Sequence, residues 1–374
     1  MILVFLGITI IYLLLIVSLI YGFEKIKLFK LTSLPSQTLF SVIIPFRNEA
    51  NNLPQLLESI KSLKYPKHLF EIVFVDDDSE DDSAELIMGF LANARNDIKV
   101  IPNERTTSSP KKDAIATAIK QAHFDWIITT DADCTLPKYW LDGFDECIQQ
   151  TQPTCIAAPV TYRSNSSFLN RFQVLDFLSL QGATIGGFGI QQPFLCNGAN
   201  FAYKKEAFIA VKGFGGNSHI ASGDDIFLLE KMGKHFPKQV QFLKCEHAIV
   251  TTSSQSSWKA LLAQRIRWAA KTSSYNNWFG KFTGLVVLLM NALILIGVLL
   301  AIFGVLNWKI LFYLVFIKFN IDFLLILKTA TFFNQREVLP SVLFGFLIYP
   351  FFLVYVVCLS VFKGFKWKDR YYKK

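Results

Sequence analysis

Trp126-Ile127-Ile128-Thr129-Thr130-Asp131-Ala132-Asp133 is an apolar, β-branched run that stops abruptly at two carboxylates. A short run of this kind, bounded by polar turn residues, reads as a buried strand. The pattern recurs on either side, at Ser41 to Phe46, Glu71 to Val75, Ile98 to Ile101 and Cys155 to Val160. Between these runs, Asn51 to Leu63, Asp81 to Asn93 and Lys111 to Ala122 carry apolar residues at the helical spacing of three and four. Strands alternating with crossover helices predict an α/β domain built on a parallel, Rossmann-like sheet. Ligands of such sheets bind beyond the carboxyl ends of the strands. The residues to inspect are therefore Val75-Asp76-Asp77-Asp78-Ser79 and Asp131-Ala132-Asp133.

Working outward, the flanks belong to a membrane. Hydrophobic residues make up 52% of the 374 residues, and the mean hydropathy is +0.35, high for a soluble chain. Ile2 to Ile20 is nearly unbroken Ile, Leu, Val and Phe, long enough to cross a hydrocarbon core of about 30 Å as a helix. It has neither the basic start nor the small-residue cleavage site of a secretory signal, and reads as a retained anchor. Lys25, Lys27 and Lys30 follow it, which predicts that the α/β domain faces the cytosol and the N-terminus lies outside.

Past Asn165, Phe168 to Leu180 and Trp258 to Trp268 are aromatic amphipathic stretches. They suit the membrane surface, and ordinary domain packing accounts for the same pattern. Three apolar segments then run from Leu285 to Phe303, Ile310 to Leu327 and Val338 to Phe362, before a tail with Lys363, Lys366, Lys368, Arg370, Lys373 and Lys374. Three crossings from the cytosol would leave this basic tail outside, against the charge rule. The middle segment, with Lys318 and Asp322 one turn apart, is the candidate for something other than a simple span. It is either re-entrant or interfacial, or its pair is neutralised within a helix bundle. The expected divisions are an anchor over 1–22, a catalytic domain over 38–280, three membrane segments over 282–363 and a basic tail over 364–374.

The formal charge of +9 is spread along the chain and flanks apolar stretches. That distribution fits anionic lipid head groups and argues against nucleic acid. The six cysteines form no C-x-x-C pair and no metal spacing with the five histidines, which suits a reducing compartment.

Carboxylates crowded at strand ends repel one another and call for an offsetting cation. Asp131 and Asp133 have no basic residue close in sequence, and oxygen ligands favour Mg²⁺ or Mn²⁺ over softer metals. Downstream, Ser222-Gly223-Asp224-Asp225 precedes an apolar helix, where acidic residues also suit the helix dipole. In Gln264-Arg265-Ile266-Arg267-Trp268, a helix would place Gln264, Arg267 and Trp268 on one face. An amide, a guanidinium and an indole together suit a diphosphate and a sugar ring.

Taken in order, these elements resemble the family 2 glycosyltransferases with their GT-A fold. The likeness is closest to the membrane-bound branch that includes ceramide glucosyltransferase-like enzymes and cellulose, hyaluronan and poly-N-acetylglucosamine synthases. It runs from Ser41 to Trp268, about three fifths of the chain. The resemblance implies that Pro45 and Glu49 of Ser41-Val42-Ile43-Ile44-Pro45-Phe46-Arg47-Asn48-Glu49 lie beside the nucleoside, that Asp76 and Asp77 hold base and ribose, and that Lys111 approaches the donor. It further implies that Asp131 and Asp133 handle sugar and metal, that Asn200 of Asn197-Gly198-Ala199-Asn200 belongs to a donor and acceptor loop, and that Asp225 is the base beside Asp224. Gln264, Arg267 and Trp268 match the diphosphate and acceptor motif Q-x-x-R-W. Three positions depart from the pattern: Asp78 replaces the usual Gly of D-D-G-S, Pro110 stands where Gly often precedes the Lys, and Asp224 replaces the usual Glu.

The implied reaction is inverting transfer of a sugar, UDP-sugars being the family's commonest donors, to a membrane-associated lipid or glycan acceptor. A lipid or lipid-linked acceptor is favoured, because a processive synthase needs a channel built from more helices than this chain offers alone. A homo-oligomer or envelope-assembly partners would supply the missing helices, which keeps a β-linked polymer as the alternative. A nucleotidyltransferase would show a glycine-rich phosphate loop near its first strand, and Pro45-Phe46-Arg47-Asn48-Glu49 is not one. A non-enzyme subunit of a polysaccharide export complex would have no need of Asp133, Asp225 and Arg267 together.

Overall fold

The structure, a computed structural model, describes residues 2–91, 98–218, 220, 222–362, 365–367 and 370–372. In chain order its elements are α1 (Ile2–Lys25), β1 (Phe40–Phe46), α2 (Leu53–Ser62), β2 (Phe70–Asp76), α3 (Ser83–Leu91), β3 (Ile98–Pro102), α4 (Pro110–Gln121), β4 (Trp126–Thr129), β5 (Cys134–Thr135), α5 (Trp140–Thr151), β6 (Cys155–Ala157) and β7 (Val160–Tyr162). There follow α6 (Phe168–Gly189), β8 (Phe201–Lys204), α7 (Lys205–Ala210), α8 (Asp224–His235), β9 (Val240–Phe242), β10 (Val250–Thr252), α9 (Trp258–Ala270), α10 (Trp278–Ile302), α11 (Trp308–Phe332), α12 (Val342–Phe362), β11 (Phe365–Trp367) and β12 (Arg370–Tyr372). Two compact units interleave along the sequence: Lys27–Thr161 with Leu195–Ser253, and Met1–Ile26 with Tyr162–Phe194 and Ser254–Lys374.

The first unit is built on a seven-stranded sheet in the order β3-β2-β1-β4-β8-β6-β9. β1 pairs in parallel with both β2 and β4, and β2 with β3. Val42, Ile43, Ile44, Ile72, Val73 and Phe74 are wholly buried, as expected where helices cover both faces of a sheet. The continuous parallel run ends at β4, although β6 and β9 at the far edge again pair in parallel. β8 lies antiparallel to β4 and β6, and the expected strand from Cys155 to Val160 is two strands, β6 and β7, parted at Ala158-Pro159. Proline offers no N–H to a ladder, and the Ala158 N–H turns instead to the Asn200 carbonyl at 3.0 Å. The expected helix Asp81 to Asn93 is α3, and its last positions lie outside the described residues.

The segment before β1 is fastened to α5. Glu146 accepts from the backbone and hydroxyl of Thr32 at 2.6 and 2.7 Å and from Leu34 N at 3.2 Å. Asp145 accepts from Thr38 N and its hydroxyl at 2.9 and 2.6 Å. Both carboxylates are buried, so these donors satisfy charges that would otherwise be costly.

In the helical unit, α1 packs on α6 through small residues. A Cβ at Gly22 would strike the Gly186 backbone, one at Gly186 the Leu19 backbone, and one at Gly189 the Gly22 backbone. Close backbone approach of this kind is a means of packing helices where lipid removes the hydrophobic drive. α6 is packed rather than spread on a surface, with Phe172, Val174, Leu175, Phe177 and Leu178 buried.

Four helices, Ile2–Lys25, Trp278–Ile302, Trp308–Phe332 and Arg336–Val361, are long and apolar enough to cross a membrane. The middle C-terminal segment is one continuous helix, α11. Its charges are neutralised inside the unit: Lys318 Nζ lies 2.6 Å from Asp322 Oδ2, and the Tyr12 hydroxyl donates to Asp322 Oδ1 at 2.5 Å. Of the basic tail, Lys363, Lys368, Lys373 and Lys374 lie outside the described residues.

Candidate active site

Strand β1 is the switch point of the parallel half, with the chain leaving it toward β2 on one side and β4 on the other. At this end Glu49 follows β1, Asp77 follows β2, whose last residue is Asp76, and Asp131 and Asp133 follow β4.

Lys111, at the start of α4, ties the far strands to α8. Its Nζ is 2.6 Å from Asp131 Oδ1 and 3.3 Å from Asp224 Oδ2. Burial alone would lower its pKa, yet Asp131 and Asp224 outweigh burial and hold it well above the ordinary lysine value. Asp131, with no basic residue close in sequence, thus gains one in space. Lys111 lies twenty residues upstream, and only the placement of α4 beside β4 brings it in.

Asp133 is different. Burial, with Asp131 and Glu49 nearby, pushes its carboxyl up to about 6, the mark of a carboxylate short of positive charge. Among the described residues no cluster of three or more His, Cys, Asp or Glu has ready metal-binding geometry. The donor set is nevertheless all oxygen, and it fits a hard divalent cation that brings further oxygens from a bound diphosphate.

Asp225 sits in the first turn of α8. Its Oδ2 accepts from Gly198 N at 3.1 Å and its Oδ1 from Ile226 N at 2.8 Å. Asp224 is buried while Asp225 is partly open. A Cβ at Gly198 would stand 2.9 Å from Asp224 Oδ2 and 3.5 Å from Lys111 Nζ, so the Asp224 carboxylate would have to shift to admit one. The Gly198 carbonyl is held in turn by the Thr129 hydroxyl at 2.7 Å.

Asn200 lies beneath the loop that carries Gly198. Its side chain is fully buried, donates to the carbonyls of Pro159 and Ala248 at 2.8 and 2.7 Å, and accepts from Trp140 Nε1 at 2.9 Å. With every polar atom of the amide engaged within the chain, Asn200 pins the loop carrying Gly198 from beneath.

At the β2 end, Asp76 Oδ1 caps the turn by accepting from Ser79 N at 2.9 Å. Asp77 Oδ1 accepts from Asn103 Nδ2 at 2.7 Å and Arg105 Nη1 at 3.2 Å. Glu49 Oε2 accepts from Asn52 Nδ2 at 2.6 Å, and Pro45 pairs with Val75 in register. Asn103 and Arg105 escaped the sequence reading although they follow β3, where the strand-end rule directs attention.

Residues 41–211 match the family described as glycosyl transferase family 2. That segment is a family 2 glycosyltransferase domain. Among curated relatives, a poly-beta-1,6-N-acetyl-D-glucosamine synthase of Staphylococcus epidermidis is 28% identical over 146 residues, 38% of this chain and 33% of the relative. A synthase of the same description from Staphylococcus aureus is 29% identical over 139 residues, covering 36% and 32%. The chain therefore spans about a third of the length of these relatives. The fold is shared with a solved structure, the mannosyltransferase PcManGT from Pyrobaculum calidifontis in complex with GDP-Man and Mn²⁺. Identity is 14%, coverage is 96% of both chains and the TM-score is 0.55.

The remaining expected residues of the transferase lie outside the sheet unit. Gln264, Arg267 and Trp268 are on α9 of the helical unit, all partly exposed. Gln264 Oε1 accepts from Arg265 Nη1 at 2.5 Å, and Trp268 packs at 6.3 Å from Phe177.

Proposed function

We propose that the chain transfers a sugar, with inversion, from a nucleotide-diphosphate donor to a membrane-associated acceptor, with its catalytic domain on the cytosolic face of the cell (inner) membrane. The observation that carries the reading is the Lys111, Asp131 and Asp224 cluster beside Asp225 and Asp133 at the carboxyl ends of β1, β2 and β4. Asp225 takes the proton of the acceptor hydroxyl, a role typically worth about 10² to 10⁴ in rate. Gly198 N–H fixes one carboxylate oxygen, which aims the other. Glu49, Asp76 and Asp77 hold the nucleoside, and Pro45 walls it. Lys111 offsets Asp131 and Asp224 so that a donor carrying negative charge can approach. A Mg²⁺ or Mn²⁺ ion held by Asp133 and Asp131 would neutralise diphosphate charge. Gln264, Arg267 and Trp268 serve the diphosphate and the acceptor.

The acceptor proposed is a lipid or lipid-linked glycan, in keeping with four candidate spans in one chain. The second reading, a processive synthase making a β-linked polymer, is favoured by the relatives, which are poly-beta-1,6-N-acetyl-D-glucosamine synthases. One experiment serves both. Purified protein in detergent is given radiolabelled UDP-N-acetylglucosamine first, then other UDP- and GDP-sugars, with membrane lipid and Mg²⁺ or Mn²⁺. Label in the lipid-soluble fraction supports the first reading, and label in polymer the second. No transfer and no nucleotide-diphosphate release from any donor would defeat both. Excess EDTA should abolish transfer, and undiminished turnover would remove the metal.

A further inference from the structure

Within Gln264-Arg265-Ile266-Arg267-Trp268, the residue so far without a role is the most buried: Arg265 is 6% exposed. Its Nε donates to Asp176 Oδ2 at 2.7 Å, and Nη2 lies 2.7 Å from the same oxygen. Nη1 donates to Gln264 Oε1 at 2.5 Å and to the Tyr162 hydroxyl at 3.4 Å. The guanidinium carbon stands 4.2 Å from the centroid of the Trp268 ring. One buried cation thus grips two of the three motif side chains, one by a hydrogen bond and one by its face.

Asp176 belongs to a polar row on α6 that fastens the chain entering α9. Asn170 Nδ2 donates to Ser254 Oγ at 2.9 Å. Gln173 Nε2 donates to the Gln255 carbonyl at 2.9 Å, and Gln255 N donates back to Gln173 Oε1 at 2.8 Å. Asn170, Gln173 and Asp176 stand three apart, so they share one helix face. A buried ion pair is weak evidence for stability, since apolar replacements of similar volume are often neutral. What a guanidinium supplies that an apolar residue cannot is a planar fork with fixed directions.

We propose that Arg265, held by Asp176, is a positioning residue of the transfer reaction, fixing the orientation of Gln264 and Trp268 without itself touching substrate. The proposal rests on the reading of Gln264 and Trp268 as diphosphate and acceptor groups. Lysine keeps the charge but has no fork to reach Asp176 and Gln264 together and no flat face for the indole.

The test uses the full chain in detergent. Transfer is measured with the donor that proves active in the panel, binding is measured by calorimetry with UDP and GDP as probes, and unfolding temperature is followed for every variant. Arg265→Lys should reduce turnover by about tenfold or more, and Asp176→Asn should act in the same direction. Combined with the double variant Gln264→Ala, Trp268→Ala, either should add little further loss in transfer or in nucleotide affinity, because both act through those two groups. Folded Arg265→Lys and Asp176→Asn proteins with wild-type transfer would overturn the proposal, as would losses that multiply independently with that double variant. An Arg265→Lys protein that fails to fold, beside a folded and fully active Asp176→Asn protein, would overturn it too, leaving the pair a structural prop. If Gln264→Ala and Trp268→Ala themselves transfer normally, it is the reading of those two residues that falls.

Discussion

Asp225 owes its orientation to backbone, with Gly198 N on one oxygen and Ile226 N on the other. Asp225→Asn keeps size and shape but removes the basic oxygen, so turnover should fall by about 10² or more. Nucleotide affinity measured by calorimetry should barely change. Asp77→Ala should do the reverse, weakening nucleotide binding in the ground state. Near wild-type single-turnover transfer by Asp225→Asn would move the base to Asp224. Gly198→Ala is expected to impair transfer as well, because its Cβ meets Asp224 Oδ2 at 2.9 Å, while leaving the unfolding temperature within a few degrees. The sequence named Asp225 by resemblance. It could not show what Gly198 does, because its N–H meets a carboxylate 27 residues away. Asp78 shows the converse. It departs from the usual Gly, and the structure puts it at φ 65°, a left-handed position that aspartate tolerates better than most residues. Arg47 Nη1 also donates to the Asp77 and Asp78 carbonyls at 2.7 and 2.6 Å, so the same turn forms without glycine.

At the scale of elements, the parallel strands and their helices were legible because a buried parallel strand leaves an uninterrupted apolar run. The antiparallel β8 was not. Phe201-Ala202-Tyr203-Lys204 is too short to carry a period, and its place between β4 and β6 is set by long-range pairing. The segment fastened to α5 was equally hidden, since its donors and acceptors lie 107 to 114 residues apart. Glu146→Ala should cost about 3 kcal/mol, given three donors to one buried carboxylate, and should open residues 31–38 to limited proteolysis. An unchanged digestion pattern would show that the segment is held by other means.

Glu71, at the opposite end of β2 from the site, gives a pH signature. Burial would raise its carboxyl, but the Ser41 hydroxyl, His123 N and Lys99 outweigh burial and hold it below the ordinary 4.5. The unfolded chain therefore binds the extra proton first. The stability Glu71 contributes is complete above about pH 4.5 and is lost as pH falls through the lower folded value. Wild-type unfolding temperature should drop more steeply than that of Glu71→Gln on acidification from about pH 5 to pH 3. Parallel curves would rule this contribution out.

For the whole molecule, the sequence conveyed a catalytic sheet with membrane segments around it, but not the interleaving. Residues 162–194 and everything from 254 onward belong to the compact unit that includes α1, so a cut at the end of the expected catalytic domain passes through that unit. A fragment of residues 38–280 would keep α6 and α9 and lose what they pack on. Phe172 and Leu261 would lose Phe352 and Val356. Gly182 would lose Thr329 and Leu325, and Gly186 would lose Leu19. Apolar side chains such as Phe172 and Leu261 would be left bare, and exposed apolar patches drive association in water. The fragment should therefore be recovered only in detergent or as aggregate, and size-exclusion chromatography with and without detergent is the measurement. Restoring α1 and α10 to α12 should return a monodisperse protein in detergent that binds nucleotide. A fragment 38–280 that is monodisperse in plain buffer and binds UDP or GDP as tightly as the full chain would show that α6 and α9 need none of those helices. The contiguous division 38–280 would then be the correct domain boundary.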